Sequence, residues 1–121
     1  MDSIDKVWCD GEEWCPITVT ASLLSKKWHP VIVSRLLVQD ELGFAELQER
    51  ITDVSSKVLS DALQDLEDKG LVEREIVSEK PFRVSYSLTE QGRSLEPIID
   101  KMDDWGTNYL ETSGEPPSDI A

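Results

Sequence analysis

A chain of 121 residues with 39% hydrophobic residues supports one ordinary core and not two. No stretch approaches the roughly 18 consecutive apolar residues that span a bilayer, and Met1-Asp2-Ser3-Ile4-Asp5-Lys6 lacks the basic-then-apolar order of a secretion signal, so a cytoplasmic protein without membrane contact is expected. The 25 Asp and Glu against 12 Lys and Arg leave a net charge of −13, spread along the chain, which repels nucleic acid at low salt.

Residues 1–14 read as an acidic arm, Trp8-Cys9-Asp10-Gly11-Glu12-Glu13-Trp14 preceding Cys15-Pro16. In a reducing cytosol a structural disulfide between Cys9 and Cys15 is not expected, which leaves free thiols, a switchable pair or part of a metal site. Zinc needs about four good ligands and His29 is the only histidine, so no metal or other cofactor is expected. Pro16, Ile17, Ala21, Leu23 and Leu24 predict a short amphipathic helix ending near Ser25-Lys26-Lys27. A second helix starts at His29-Pro30, where proline costs least, and shows Val31, Ile32, Leu36 and Leu37 on one face; His29 reads as a helix-start residue. Asp40-Glu41-Leu42-Gly43 breaks it.

Phe44, Leu47 and Ile51 recur at helical spacing, and Thr52-Asp53-Val54 has the length of the turn in a helix-turn-helix. Ser55 is the N-cap of the clearest helix, Ser55 to Lys69, with Leu59, Ala62, Leu63 and Leu66 on its apolar face and Gly70 as its stop. From Leu71 the period changes to that of a β-hairpin, Leu71–Val77 and Arg83–Leu88 around the turn Ser78-Glu79-Lys80-Pro81. Thr89 caps a last helix with Leu95, Ile98, Ile99, Met102, Trp105 and Tyr109 in one stripe, kinked or divided by Pro97. Residues 112–121 read as a disordered tail.

This order predicts a mainly α fold with a small β-hairpin wing, a winged helix-turn-helix spanning residues 15–111. A helix held by its apolar face offers the other face to a major groove. Here that face carries Lys57, Ser60, Asp61, Gln64 and Asp68. Lys57 reaches phosphate or guanine, Gln64 pairs with adenine, and the hydroxyls of Ser55, Ser56 and Ser60 meet phosphate or base. Lys80 and Arg83 at the hairpin tip reach the backbone or the minor groove. Asp61 and Asp68 argue the other way, since a carboxylate there faces phosphates or accepts only from cytosine.

The last helix exposes more apolar surface than a small domain covers alone, so a homodimer through Ile98, Met102, Trp105 and Tyr109 is expected; the alternative is that Leu95, Ile98 and Met102 close the monomer core. A two-fold dimer sets its recognition helices about 34 Å apart and reads double-stranded DNA as an imperfect inverted repeat. No nucleophile-base pair, phosphate loop or metal spacing supports an enzyme. The expected function is a DNA-binding transcription regulator whose acidic surface, of the kind haloarchaeal proteins carry, suits molar salt, where charges are screened within about 3 Å. The alternative is a winged-helix protein-interaction module without DNA affinity. Nothing identifies a small-molecule effector.

The chain resembles the HxlR family of winged-helix regulators, related to the MarR type. The resemblance is carried from Cys15 to Gly106 by Cys15-Pro16, Lys27-Trp28, Phe44-Ala45-Glu46-Leu47, Ser55-Ser56-Lys57-Val58-Leu59-Ser60, Gly70-Leu71-Val72-Glu73-Arg74, Leu88-Thr89-Glu90, Pro97 and Trp105-Gly106. It implies a dimer built from the N- and C-terminal helices, recognition by Ser55–Lys69, a wing at Val72–Leu88, and thiol sensing at Cys15; if Cys15 senses, its oxidation to sulfenic acid or its pairing with Cys9 or with a partner-chain cysteine is expected to shift the dimer geometry. A helix N-terminus at Pro16 favours the Cys15 thiolate, whereas Asp10, Glu12 and Glu13 oppose it. The chain departs from the family pattern at Ser25-Lys26, where two glycines are usual, and at Asp61-Ala62, where basic or amide residues are common.

Overall fold

The computed structural model describes residues 15–117. Helix α1 (Pro16–Leu24) is followed by α2 (His29–Gln39), strand β1 (Glu41–Gly43), α3 (Phe44–Arg50) and α4 (Ser56–Asp68). The hairpin β2 (Val72–Glu79) and β3 (Phe82–Leu88) precedes a short α5 (Glu90–Arg93) and the long α6 (Glu96–Ser113). Three antiparallel strands form one sheet in the order β1-β3-β2. The fold is the expected winged helix-turn-helix.

Local chemistry explains the boundaries. Pro16 and Pro30 lie in the first turns of α1 and α2, where a missing N–H is no loss. Helix α4 is capped by Ser55, whose hydroxyl oxygen accepts from the Val58 N–H at 3.2 Å, and the chain leaves it through Gly70 in the left-handed region at φ 77°. The Asp40–Gly43 segment does more than break α2: Leu42 is buried and Glu41–Gly43 pairs with Ser85–Ser87 to add an edge strand. Pro97 falls in the first turn of α6, so it divides α5 from α6 and leaves α6 unkinked at that point. Helix α6 runs on to Gly114, whose left-handed φ of 84° lets its N–H reach the Leu110 carbonyl at 2.8 Å; Thr112 and Ser113, expected in the tail, belong to the helix.

The core lies where α2, α3 and α4 meet the sheet. Ile32, Leu36, Leu47, Leu59, Leu63 and Leu66 are fully buried in it, each side chain contributing roughly 1.5–3 kcal/mol of transfer free energy. Leu95 and Ile99 seal one side of this core from the C-terminal helices. Because Leu59, Ala62, Leu63 and Leu66 all point inward, the opposite side of α4 is committed to solvent.

Candidate nucleic-acid interface

Lys57, Ser60, Asp61, Gln64 and Asp68 occupy the outward side of α4 and are all exposed. Four of these five side chains are joined in pairs. Lys57 Nζ donates to Asp61 Oδ2 at 2.9 Å, and Gln64 Nε2 donates to Asp68 Oδ1 at 2.9 Å. Lys57 and Gln64 therefore each rest on a carboxylate one helical turn further along. The spacing was visible in the sequence; that both pairs close is a finding of the structure.

The two serines at the start of α4 have local partners. The Ser55 oxygen is spent on the cap, which leaves its proton available to donate. Ser56 Oγ accepts from Gln48 Nε2 at 3.1 Å, and the same amide donates to the Val54 carbonyl at 3.3 Å, so α3 is pinned to the start of α4. Lys80 and Pro81 form the connection between the wing strands, and Lys80 and Arg83 are both exposed at that tip.

A second device, without any sequence signal, fixes the orientation of α4. His29 is 3% exposed, and its Nε2 lies 2.7 Å from Asp65 Oδ2. Lys69 Nζ donates to the same oxygen at 2.8 Å. The hydrogen bonds from Lys69 and His29 hold the Asp65 carboxyl down to about 2, from an ordinary 3.8, so it is ionised and accepts while the imidazole Nε2–H donates. His29 Nδ1 is buried without a hydrogen-bond partner among the described residues. The first residue of α2 is thus a tie between α2 and α4 as well as a helix start.

Along α6 the apolar stripe splits. Leu95 and Ile99 turn into the core, whereas Ile98, Met102, Trp105 and Tyr109 stay exposed, Trp105 at 69%. Trp105 and Tyr109 stack with centroids 5.3 Å apart. Ile98 and Met102 line one wall of an apolar groove of about 570 Å³ whose other wall is Ile17, Ala21 and Leu24 of α1. Ile17 and Leu110, both exposed, extend this surface beyond the residues singled out by sequence. Cys15, at the N-cap of α1, is 8% exposed and disulfide-bonded. Its bonded state excludes a free thiol at Cys15 and is compatible with the switchable pair expected from sequence; pairing follows from proximity, which spacing along the chain does not fix. Cys9, the chain's other cysteine, lies outside the described residues.

Among the described residues no helix is long and apolar enough to cross a membrane, and no cluster of His, Cys, Asp or Glu assembles a metal site. Comparison with known proteins matches residues 23–114 to the HxlR-like helix-turn-helix family. The uncharacterized HTH-type transcriptional regulator YvaP of Bacillus subtilis is 36% identical over 102 residues, covering 84% of this chain and 94% of that protein. The redox regulator HypR in its reduced form superposes with a TM-score of 0.75 at 30% identity, over 82% of this chain and 97% of its own. The reduced form of the transcriptional regulator YodB from B. subtilis superposes with a TM-score of 0.68 at 35% identity, over 81% and 96% of the two chains.

Proposed function

The chain belongs to the HxlR-like helix-turn-helix family of transcriptional regulators, which are not enzymes, and on that premise we propose that it binds an imperfect inverted repeat in duplex DNA as a homodimer. The observation that carries this reading is the division of α4, whose apolar side is fully consumed by the core while its polar side is open along its length. Lys57, Ser60 and Gln64 enter the major groove, Ser55 and Ser56 meet the flanking backbone, and Lys80 and Arg83 reach the backbone or minor groove from the wing. The α1–α6 groove and the Trp105–Tyr109 stack supply an apolar face for the second protomer.

The disulfide at Cys15 supports a thiol-responsive regulator, as does likeness to HypR, a redox regulator. Cys15 leads directly into α1, one wall of the dimer groove, so reduction or oxidation there, with Cys9 as partner, shifts the relation of the two protomers. DNA binding of the wild type and of Cys15→Ser, each first reduced with dithiothreitol and then titrated with peroxide, tests this, and an equal response in both removes Cys15 from the mechanism.

The acidic surface suits a cytoplasm at molar salt, where phosphate repulsion is short-ranged. The tie-up of Lys57 and Gln64 by Asp61 and Asp68 favours the second reading, a winged-helix protein-interaction module. Anisotropy titration with the protein's own upstream region in roughly 1–2 M KCl separates the two. Selective binding abolished by Lys57→Ala and Gln64→Ala supports the regulator; no binding at any salt leaves the module.

A further inference from the structure

The wing sorts its charges by face. Partners across an antiparallel ladder share a face, and successive residues alternate. Arg74 pairs with the buried Tyr86, and Ile76 with Val84, which places them on the inner side of the sheet. Glu73 and Glu75 pair with Ser87 and Ser85 on the outer side, where Ser85 Oγ also donates to Glu41 Oε1 at 3.0 Å. Thus Glu41, Glu73 and Glu75 face away from the body while Arg74 faces along it.

Between this inner side and the start of α3 runs a groove of about 640 Å³, lined by Phe44, Arg74, Phe82, Arg83 and Tyr86 together with Glu46. The Glu46 carboxylate accepts the Gly43 N–H at 2.8 Å and is engaged in capping α3. Neither arginine forms a salt bridge among the described residues, although the chain carries a net charge of −13. Two arginines against the one carboxylate, Glu46, leave the lining of this groove net positive, which complements an anion. The lining includes Phe44, Ala45 and Glu46 at the start of α3, the first helix of the helix-turn-helix, so the groove adjoins that unit.

We propose that this groove seats one sugar-phosphate strand of the duplex, with Arg74 as a phosphate contact at the base of the wing and Arg83 as a second nearer the tip. Phe82, 60% exposed, supplies apolar surface for the adjoining sugar. The contact carries no base information and sets the register in which α4 meets the major groove. This inference rests on the regulator reading above.

The test is a KCl series of anisotropy titrations on the upstream fragment and on a random duplex, with wild type, Arg74→Ala, Arg74→Lys and Lys57→Ala, each shown to be folded by its melting temperature. Arg74→Ala is expected to weaken both duplexes by the same factor, about tenfold, and to reduce the slope of log affinity against log salt by about 0.9 per protomer. Arg74→Lys restores most of both. Unchanged affinity and slope in Arg74→Ala, while Lys57→Ala loses discrimination, overturns the groove and leaves the regulator standing; so does a loss confined to the upstream fragment with no change of slope. A wild type that binds neither duplex at any salt overturns both.

Discussion

Lys57 and Asp61 are 83% and 67% exposed, so their ion pair adds only tenths of a kcal/mol to folding. Its effect falls on binding. A duplex approaching Lys57 must also accept the Asp61 carboxylate beside its phosphates, and Lys57 must exchange one anion for another. Asp61→Asn is therefore expected to leave the folding free energy unchanged within about 0.5 kcal/mol. It should also raise DNA affinity about tenfold at 0.1–0.2 M KCl, with the gain shrinking toward 1 M as screening increases. An anisotropy titration checks this, and an affinity that falls in Asp61→Asn makes the carboxylate a base reader instead of a competitor.

Between elements, the decisive tie is His29 on α2 with Asp65 on α4, reinforced by Lys69. Because the folded Asp65 carboxyl is held at about 2 against an ordinary 3.8, its contribution is complete above that ordinary value and is lost as pH falls from about 4 to about 2. Asp65→Asn should melt lower than wild type by several degrees at about pH 6, corresponding to roughly 1 kcal/mol after solvent screening. The gap between the two should close across the acid window, and a gap constant from about pH 6 to about pH 2 contradicts the assignment. The sequence showed α4 almost to the residue because Ser55, Gly70 and the Leu59–Leu66 spacing are local signals. It did not join Lys57 to Asp61 or Gln64 to Asp68, whose carboxylates were read only as facing the duplex, although their spacing is equally local. It did not show His29 meeting Asp65, which are 36 positions apart, nor β1, a short edge strand that exists only because β3 offers it a ladder. The facing of Arg74 was hidden too, since the hairpin's register decides which of its alternating charges turn inward.

At the scale of the molecule, different surfaces carry different tasks. The α4 side is polar and acidic, while α1 and α6 present an apolar groove and a stacked aromatic pair. Repulsion between two chains of net charge −13 works against association at low salt, and screening relieves it. Met102→Glu, on the wall of that groove, is expected to give a folded monomer by analytical ultracentrifugation under conditions where the wild type is a dimer, with weaker DNA binding as the second recognition helix is lost. A wild type that sediments as a monomer at micromolar concentration and in molar salt contradicts the dimer. The most direct measurement is a hydroxyl-radical footprint of the wild-type protein on its own upstream region in molar KCl. Two related tracts protected on one face of the duplex, centred about 10 base pairs or a multiple of that apart, are the expected result; a single tract, or none at any salt, contradicts paired reading by α4.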